Sequence, residues 1–154
     1  MIMEEKELRA LMPIQAEWSI PQLQENLAAA LEGSGPALST SSLSITEIDS
    51  AIALVVNTSG STSLAKSVAL SSAALIASTN ASHKYLGATP GDSWSLLLPT
   101  SHIAGLNVLI RATALGSRVI DNRNTTNYID ADFISIVPTQ LHKAVNGELK
   151  LLEH

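Results

Sequence analysis

Short apolar runs and capped helical segments alternate along this chain from Ala51 onward, and this alternation constrains the fold more than any other feature. The predicted strands are Ile52–Asn57, Val68–Leu70, Trp94–Leu98, Arg118–Ile120 and Phe133–Val137. Between them we predict helices from Ser71 or Ser72 to about Leu86, over Ile103–Leu115, and from a Thr139 cap to about Val145. Such alternation indicates βαβ units, so we expect an α/β fold with a mostly parallel sheet and flanking helices.

A separate helix is predicted before this region. Ser19 and Gln22 have the spacing of a capping box, and Leu23, Leu27 and Leu31 follow at helical intervals. Residues 33–44 are rich in Gly, Ser, Thr and Pro, which predicts a connector. We therefore expect a helix and linker over residues 1–44, a partial α/β domain over 45–151, and a tag remnant at 152–154.

Composition excludes several classes of function. The net charge is −5 and aromatic residues make up 3% of the chain, which argues against a nucleic-acid-binding protein. The absence of cysteine excludes disulfides and thiolate sites and is compatible with a cytoplasmic location. Because the longest uncharged stretch, Ser93–Ile110, contains Pro99 and several polar residues, we expect no membrane span.

The segment Val55–Lys66, VVNTSGSTSLAK, predicts a phosphate-binding loop. A β-branched strand leads into hydroxyl residues around Gly60, and Lys66 supplies a mobile positive charge. In open α/β sheets, ligands bind at the carboxyl ends of the strands. The loops Thr58–Lys66, Pro99–Gly105 and Pro138–Gln140 are predicted to meet at that edge.

Two kinds of phosphate loop fit this segment. Gly60–Ser67 reads G-x-x-x-x-A-K-S, which lacks only the second glycine of a P-loop. A P-loop lysine, however, opens a helix whose N-terminus faces the phosphates. Here Val68–Leu70 reads as extended and the helix cap lies later, so a divergent P-loop NTPase is the less favoured interpretation.

The second kind resembles the signature loop of the adenylate-forming superfamily, which includes the acyl-CoA synthetases. That loop has the form [ST]-[ST]-G-[ST]-T-G-x-P-K-G, and Thr58–Thr62 matches its first half. The departures are Ser63, Ala65 and Ser67. The segments LLLPTSHIAG at 96–105 and ISIVPTQL at 134–141 also resemble family motifs. Their combination is most similar to the o-succinylbenzoate–CoA ligase branch of menaquinone biosynthesis.

This resemblance implies the large N-terminal domain of an acid–CoA ligase that uses ATP with Mg²⁺ and then CoA. It implies that the ATP phosphates contact Thr58, Ser59, Gly60, Ser61, Thr62 and Lys66. His102 would contact the carboxylic acid substrate. No catalytic residue is predicted within these 154 residues. No resident metal ligand is predicted either, because His83 and His142 lack a matching ligand spacing.

Two further residues have alternative interpretations. Arg111 is the only charge in its predicted helix, and it is either a solvated side chain or an anion partner for a dicarboxylate. Gln140 either borders the substrate pocket or is an exposed residue that opens the last helix.

The chain lacks the family's later elements: the adenine-binding segment, the ribose-binding acid and the small C-terminal domain. We therefore expect an N-terminal portion that is inactive alone, with uncovered apolar faces that favour a homo-oligomer. A different possibility is a non-enzymatic nucleotide-binding or scaffold domain, which the departures at Ser63, Ala65 and Ser67 would suit.

Overall fold

The computed structural model describes residues 7–58 and 66–147. Its packing divides the chain into two compact units, Met1–Lys84 and Tyr85–His154. The first unit contains the strands and helices β1 (Leu8–Pro13), α1 (Ile20–Glu32), β2 (Ala37–Ser39), β3 (Glu47–Asp49), β4 (Ile52–Thr58), β5 (Lys66–Ser71) and α2 (Ser72–Leu86), whose last residues reach the second unit. The second contains β6 (Trp94–Leu96), α3 (Ile103–Ala114), β7 (Val119–Asp121), β8 (Phe133–Ile134) and α4 (Pro138–Val145).

The first unit has a mixed five-stranded sheet in the order β3-β1-β2-β4-β5. The central pairs β1–β2 and β2–β4 are parallel, whereas the edge pairs β1–β3 and β4–β5 are antiparallel. Leu11, Ala37 and Val55 form a buried cluster on this sheet. The sheet is thus mixed rather than wholly parallel, because the edge strands β3 and β5 run opposite to their neighbours.

Helix α1 begins and ends as the sequence predicts. The Gln22 amide N donates to Ser19 Oγ, and the Ser19 amide N donates to Gln22 Oε1, which completes the capping box. Gly33 stops the helix in the left-handed region at φ 77°. The helix packs on β2 and β4.

The segment predicted as a connector, residues 33–44, contains a strand instead. Ala37–Ser39 forms β2, whose three residues are buried between β1 and β4. The linker prediction was wrong at these positions, because a three-residue strand has too few residues to show a period. The division into segments 1–44, 45–151 and 152–154 stays a prediction, and residues 152–154 lie outside the described part of the chain.

The second unit has an all-parallel three-stranded sheet in the order β7-β6-β8. β6 is fully buried, and α3 packs against it with six buried residues. The rings of Trp94 and Phe133 lie opposite each other on β6 and β8 with centroids 4.7 Å apart. Within the described residues, no helix is long and apolar enough to cross a membrane.

Helix α4 starts one residue before the predicted cap. Its N-cap is Val137 rather than Thr139, and Pro138 occupies the first turn. Proline is favoured there because its fixed φ suits the helix and its missing N–H needs no partner. The cap prediction at Thr139 was therefore wrong, although the helix and its end near Val145 are confirmed.

Candidate functional site

The candidate acid-binding region lies in the second unit, at the carboxyl edge of its parallel sheet. β6 ends at Leu96 and continues through Pro99 into a tight turn, in which the His102 amide N donates to the Pro99 carbonyl O at 3.2 Å. His102 is the N-cap residue of α3 with extended backbone, and its side chain is exposed. The imidazole therefore stands in solvent at the start of the helix.

Gly105 explains the spacing of the H-x-x-G motif. A Cβ at this position would lie 2.7 Å from the Pro99 carbonyl carbon and 2.8 Å from the Leu98 carbonyl oxygen. Real Cβ atoms do not approach backbone this closely, so only glycine lets α3 start directly on the strand-end loop. The residue thus fixes the distance between His102 and the end of β6.

A groove of about 430 Å³ runs beside this helix. Ala104, Asn107 and Arg111 line one wall at helical spacing, and residues 134–137 with Leu98 line the other. The guanidinium of Arg111 is half-buried, and this burial lowers its pKa from the ordinary value. An arginine stays charged in proteins despite such a shift, so the groove, which Asn107 and Ser135 also line, contains one fixed cation that suits a carboxylate.

The Gln140 side chain forms hydrogen bonds to the backbone at the start of α4 and just after β6. Its Oε1 accepts from the Val137 amide N at 3.1 Å, and its Nε2 donates to the Leu97 carbonyl O at 3.4 Å. It does not belong to the residues that line the groove. The side chain therefore joins the start of α4 to the segment after β6, which neither sequence interpretation anticipated.

The candidate phosphate loop lies in the first unit, at the end of the β4–β5 hairpin. Thr58 and Lys66 are the last paired residues, and Thr58 Oγ1 donates to the Lys66 carbonyl O at 3.2 Å. Both residues are exposed. Ser59, Gly60, Ser61 and Thr62 lie outside the described residues. The predicted meeting of this loop with the two loops of the second unit stays a prediction.

The strand β5 decides between the two kinds of phosphate loop. Lys66 begins this strand, and α2 starts only at Ser72, where the Ser71 hydroxyl accepts from the Ala74 amide N at 3.2 Å. A P-loop needs its lysine at a helix start. The P-loop interpretation was therefore wrong.

Asn57 is a further residue at the base of this hairpin. Its amide Nδ2 donates to Ser41 Oγ at 2.7 Å, and its Oδ1 accepts from Ser67 Oγ at 2.8 Å. The Asn57 backbone N also donates to Thr40 Oγ1 at 3.1 Å. These bonds tie β4 and β5 to the loop after β2. In the sequence, the only indication of this role was that Asn57 is a polar residue at the end of a predicted strand.

Asp121 and Arg123 are charged residues at the carboxyl edge of the second unit that the sequence reading also missed. The guanidinium of Arg123 binds both carboxylate oxygens of Asp121 at 2.8 Å. This hydrogen bonding holds the pKa of Asp121 below its ordinary value and raises that of Arg123. Their position directly after a predicted strand was the available signal.

Among residues 7–58 and 66–147, no three His, Asp or Glu side chains lie close enough together to hold a metal ion.

Comparison with known proteins places the chain in a family. The profile of the AMP-binding enzyme family, which matches residues 5–152, covers nearly the whole sequence. The chain belongs to this family. This membership agrees with the family resemblance that the sequence motifs predicted.

Curated relatives are 2-succinylbenzoate–CoA ligases. A probable enzyme of this name from Mycobacterium tuberculosis (strain CDC 1551 / Oshkosh) is 52% identical over 71 residues, which are 46% of this chain and 18% of the relative. The 2-succinylbenzoate–CoA ligase of Lactococcus lactis subsp. lactis is 32% identical over 108 residues, which are 65% of this chain and 24% of the relative. The chain thus spans about a quarter or less of these relatives.

Solved structures agree with the fold. An acyl-CoA synthetase (AMP-forming)/AMP-acid ligase II-like protein from Dyadobacter fermentans is 33% identical with a TM-score of 0.53, over 60% of this chain and 28% of that protein. Wild-type E. coli MenE, with a bound analogue of OSB-AMS, has a TM-score of 0.52 at 19% identity, over 88% of this chain and 34% of that protein. The α/β architecture of the N-terminal domain of adenylate-forming enzymes is thereby confirmed.

Proposed function

We propose that this chain is the N-terminal part of an ATP-dependent ligase that joins 2-succinylbenzoate to CoA. The observation that carries the proposal is the half-buried Arg111, the one charged side chain among the residues that line the groove beside α3. A dicarboxylic aryl acid has an apolar ring for such a groove and a second carboxylate for the guanidinium. The names of the two curated relatives support the same substrate.

The reaction would proceed in two steps. In the first, a carboxylate oxygen of the acid attacks the α-phosphorus of ATP, and pyrophosphate leaves with its electron pair. In the second, the CoA thiolate attacks the acyl carbon, and AMP leaves. Such phosphoryl chemistry depends on oriented donors and cations more than on covalent participation by the protein.

The residues of the hairpin end would hold the phosphates of ATP, which carries its Mg²⁺. Thr58 and Lys66 face each other across β4 and β5, so a hydroxyl and an ammonium flank the loop. We propose that Ser59, Gly60, Ser61 and Thr62 add hydroxyl and amide donors to the β- and γ-phosphates. Lys66 would neutralise the departing pyrophosphate.

In the acid-binding region, we propose that His102 contacts the reacting carboxylate and Arg111 the second one. Gln140 acts on this region through its bonds to the backbone of Leu97 and Val137. We further propose a cytoplasmic location, where ATP and CoA are supplied. We also propose that the 154 residues alone are inactive, because they span only 18% and 24% of the two ligases to which they are similar.

The test is to follow the product of the second step. The longest gene product that carries this sequence is incubated with Mg²⁺–ATP, CoA and 2-succinylbenzoate, and mass spectrometry measures AMP and CoA thioester. The matched control acid is 4-oxo-4-phenylbutanoate, which lacks the ring carboxylate. We expect equal amounts of AMP and thioester with the dicarboxylate and little with the control. Equal turnover of both acids would contradict the assigned substrate.

The departures at Ser63, Ala65 and Ser67 leave one other function to test, a nucleotide-binding or scaffold domain without activity. Ser67 supports it, because its hydroxyl is used within the hairpin, on Asn57. Calorimetric titration of the same protein with Mg²⁺–ATP distinguishes the two. Binding of ATP without thioester formation with any carboxylic acid would favour the non-enzymatic function.

A further inference from the structure

Thr100, two residues before His102, contacts a residue on a distant part of the chain. The Nη1 of Arg123 donates to Thr100 Oγ1 at 3.4 Å across 23 residues of sequence. This bond is longer than the two that Arg123 makes to Asp121 at 2.8 Å. The guanidinium is therefore fixed first by its carboxylate through Nε and Nη2, and its third nitrogen, Nη1, reaches the loop.

The backbone on both sides of this contact is held by the sheet. Leu96 on β6 pairs with Asp121 on β7, and the next bond of the ladder runs from the Asn122 amide N to the Leu96 carbonyl O at 3.0 Å. Both strands are parallel, so their following residues leave the sheet at the same edge. The loop 97–102 and Arg123 are consequently adjacent at this edge of the sheet.

Asn122 strengthens this arrangement from inside the fold. The residue is buried, and its Nδ2 donates to Ser95 Oγ at 2.9 Å and to the Ile129 carbonyl O at 2.8 Å. Its Oδ1 accepts from the Ile129 amide N at 3.0 Å. A buried amide with such partners is costly to disturb, so the backbone that carries Arg123 has a defined position.

Arg123 also lines a shallow groove of about 270 Å³ with Leu97, Pro99 and Asn124. An anion-binding role for this groove is the competing explanation. It is disfavoured because Asp121 already neutralises the guanidinium with a two-pronged bond, and an added anion would meet the carboxylate as well. The geometry instead favours a role within the protein.

We propose that Arg123, fixed by Asp121, is a positioning residue that holds the Thr100–His102 segment and thereby sets where the imidazole of His102 stands. This role rests on the proposed function, because it matters for catalysis only if His102 contacts the acid. The placement of the segment itself is independent of any activity. Each part can therefore be tested alone.

The structural test measures backbone order by NMR on the 154-residue chain, using the heteronuclear NOE of the Ser101 and His102 amides. Thr100→Val keeps the shape of the side chain but removes the hydroxyl, whereas Thr100→Ser keeps the hydroxyl. We expect a loss of NOE in Thr100→Val and in Arg123→Gln, and wild-type values in Thr100→Ser. The exposed Thr126→Val is the matched control and should leave both amides unchanged.

The kinetic test uses the same variants in the longest gene product. Loss of one hydrogen bond that orients a substrate contact should lower kcat/KM for the acid about tenfold in Thr100→Val. Thr100→Ser should restore it, and the KM for ATP should stay unchanged in every variant. A general loss of stability would instead change all kinetic parameters together.

The outcomes separate the two proposals. If Thr100→Val and Thr100→Ser give the same NOE values, the hydroxyl bond does not hold the segment and the inference is overturned. If the NOE changes as expected but the protein forms no thioester with any acid, the proposed function fails and the positioning of the segment stands. If the NOE changes and the kinetics of an active enzyme do not, Arg123 has no part in catalysis and the positioning role is overturned.

Discussion

At the scale of single residues, Arg111 is the basis of the most specific prediction about the substrate. It is half-buried, and it is the one charged side chain among the residues that line the groove. Burial lowers the pKa of this guanidinium, and a carboxylate bound beside it would offset part of the desolvation. We propose that a second carboxylate of the substrate binds at this residue.

Replacement of this arginine should change the choice of substrate. Arg111→Ala removes a charge-assisted bond worth about 1.5–3 kcal/mol, so we expect kcat/KM for 2-succinylbenzoate to fall about 10- to 100-fold. Turnover of 4-oxo-4-phenylbutanoate should change little, because that acid lacks the second carboxylate. Steady-state kinetics with both acids measure the effect. An equal fall for both acids would show that Arg111 acts on the fold and not on the substrate.

Lys66 can be tested without any acid. Its side chain is exposed and its backbone carbonyl accepts from Thr58, so truncation of the side chain leaves the hairpin bond in place. We expect Lys66→Ala to weaken ATP binding about tenfold or more without lowering the melting temperature. Calorimetry with Mg²⁺–ATP measures this, and Lys84→Ala, at an exposed site on α2, is the control. Unchanged affinity for ATP would remove Lys66 from the phosphate site.

The lowered pKa of Asp121 predicts that the free energy of unfolding depends on pH. Because Arg123 lowers its pKa in the folded state, Asp121 stabilises the fold above the unfolded-state carboxyl pKa of about 3.9. That contribution is lost as the pH falls through the lower folded-state pKa. For this partly exposed pair we expect less than about 1 kcal/mol at pH 7.

The measurement compares wild type with Asp121→Asn by urea denaturation at a series of pH values. The difference in free energy of unfolding should be present at neutral pH and shrink on acidification below the ordinary carboxyl range. Asp130→Asn, at an exposed position in the same loop region, serves as the control. A difference that is constant with pH would mean that the charge of Asp121 does not contribute.

At the scale of elements, the junction between β6 and α3 depends on Gly105. An added methyl group would collide with the backbone at Leu98 and Pro99, which cannot move without shifting the strand end. We expect Gly105→Ala to destabilise the chain by about 1–3 kcal/mol, as overpacking does. Chemical denaturation measures this, with Ala114→Ser at the exposed end of the same helix as the control. Wild-type stability of Gly105→Ala would contradict the tight junction.

The same elements show what the sequence could predict. The order from β4 to α4 is confirmed, because apolar runs, helix caps and terminal glycines are local signals. The strands β1, β2 and β3 escaped prediction, since two of them have three residues and all depend on partners distant in sequence. The antiparallel pairing of β5 and the contact of Arg123 with Thr100 also depend on register, which no local pattern specifies.

At the scale of the whole molecule, the chain covers only a small share of the curated relatives to which it is similar. It spans 18% and 24% of the two curated relatives, so the complete reaction is a claim about the protein that carries this segment. Several large apolar side chains are exposed, among them Ile76, Leu86 and Ile134. Such side chains suit burial against further protein, and self-association of the chain stays a prediction.

The most direct test of the central claim is the exchange of labelled pyrophosphate into ATP, which reports the first step alone. With the longest gene product, Mg²⁺–ATP and 2-succinylbenzoate, we predict exchange that requires the acid and that falls sharply in Lys66→Ala and Arg111→Ala. Exchange that requires an acid of another class, such as a long-chain fatty acid, would contradict the substrate. Binding of ATP with no acid-dependent exchange at all would contradict the ligase itself.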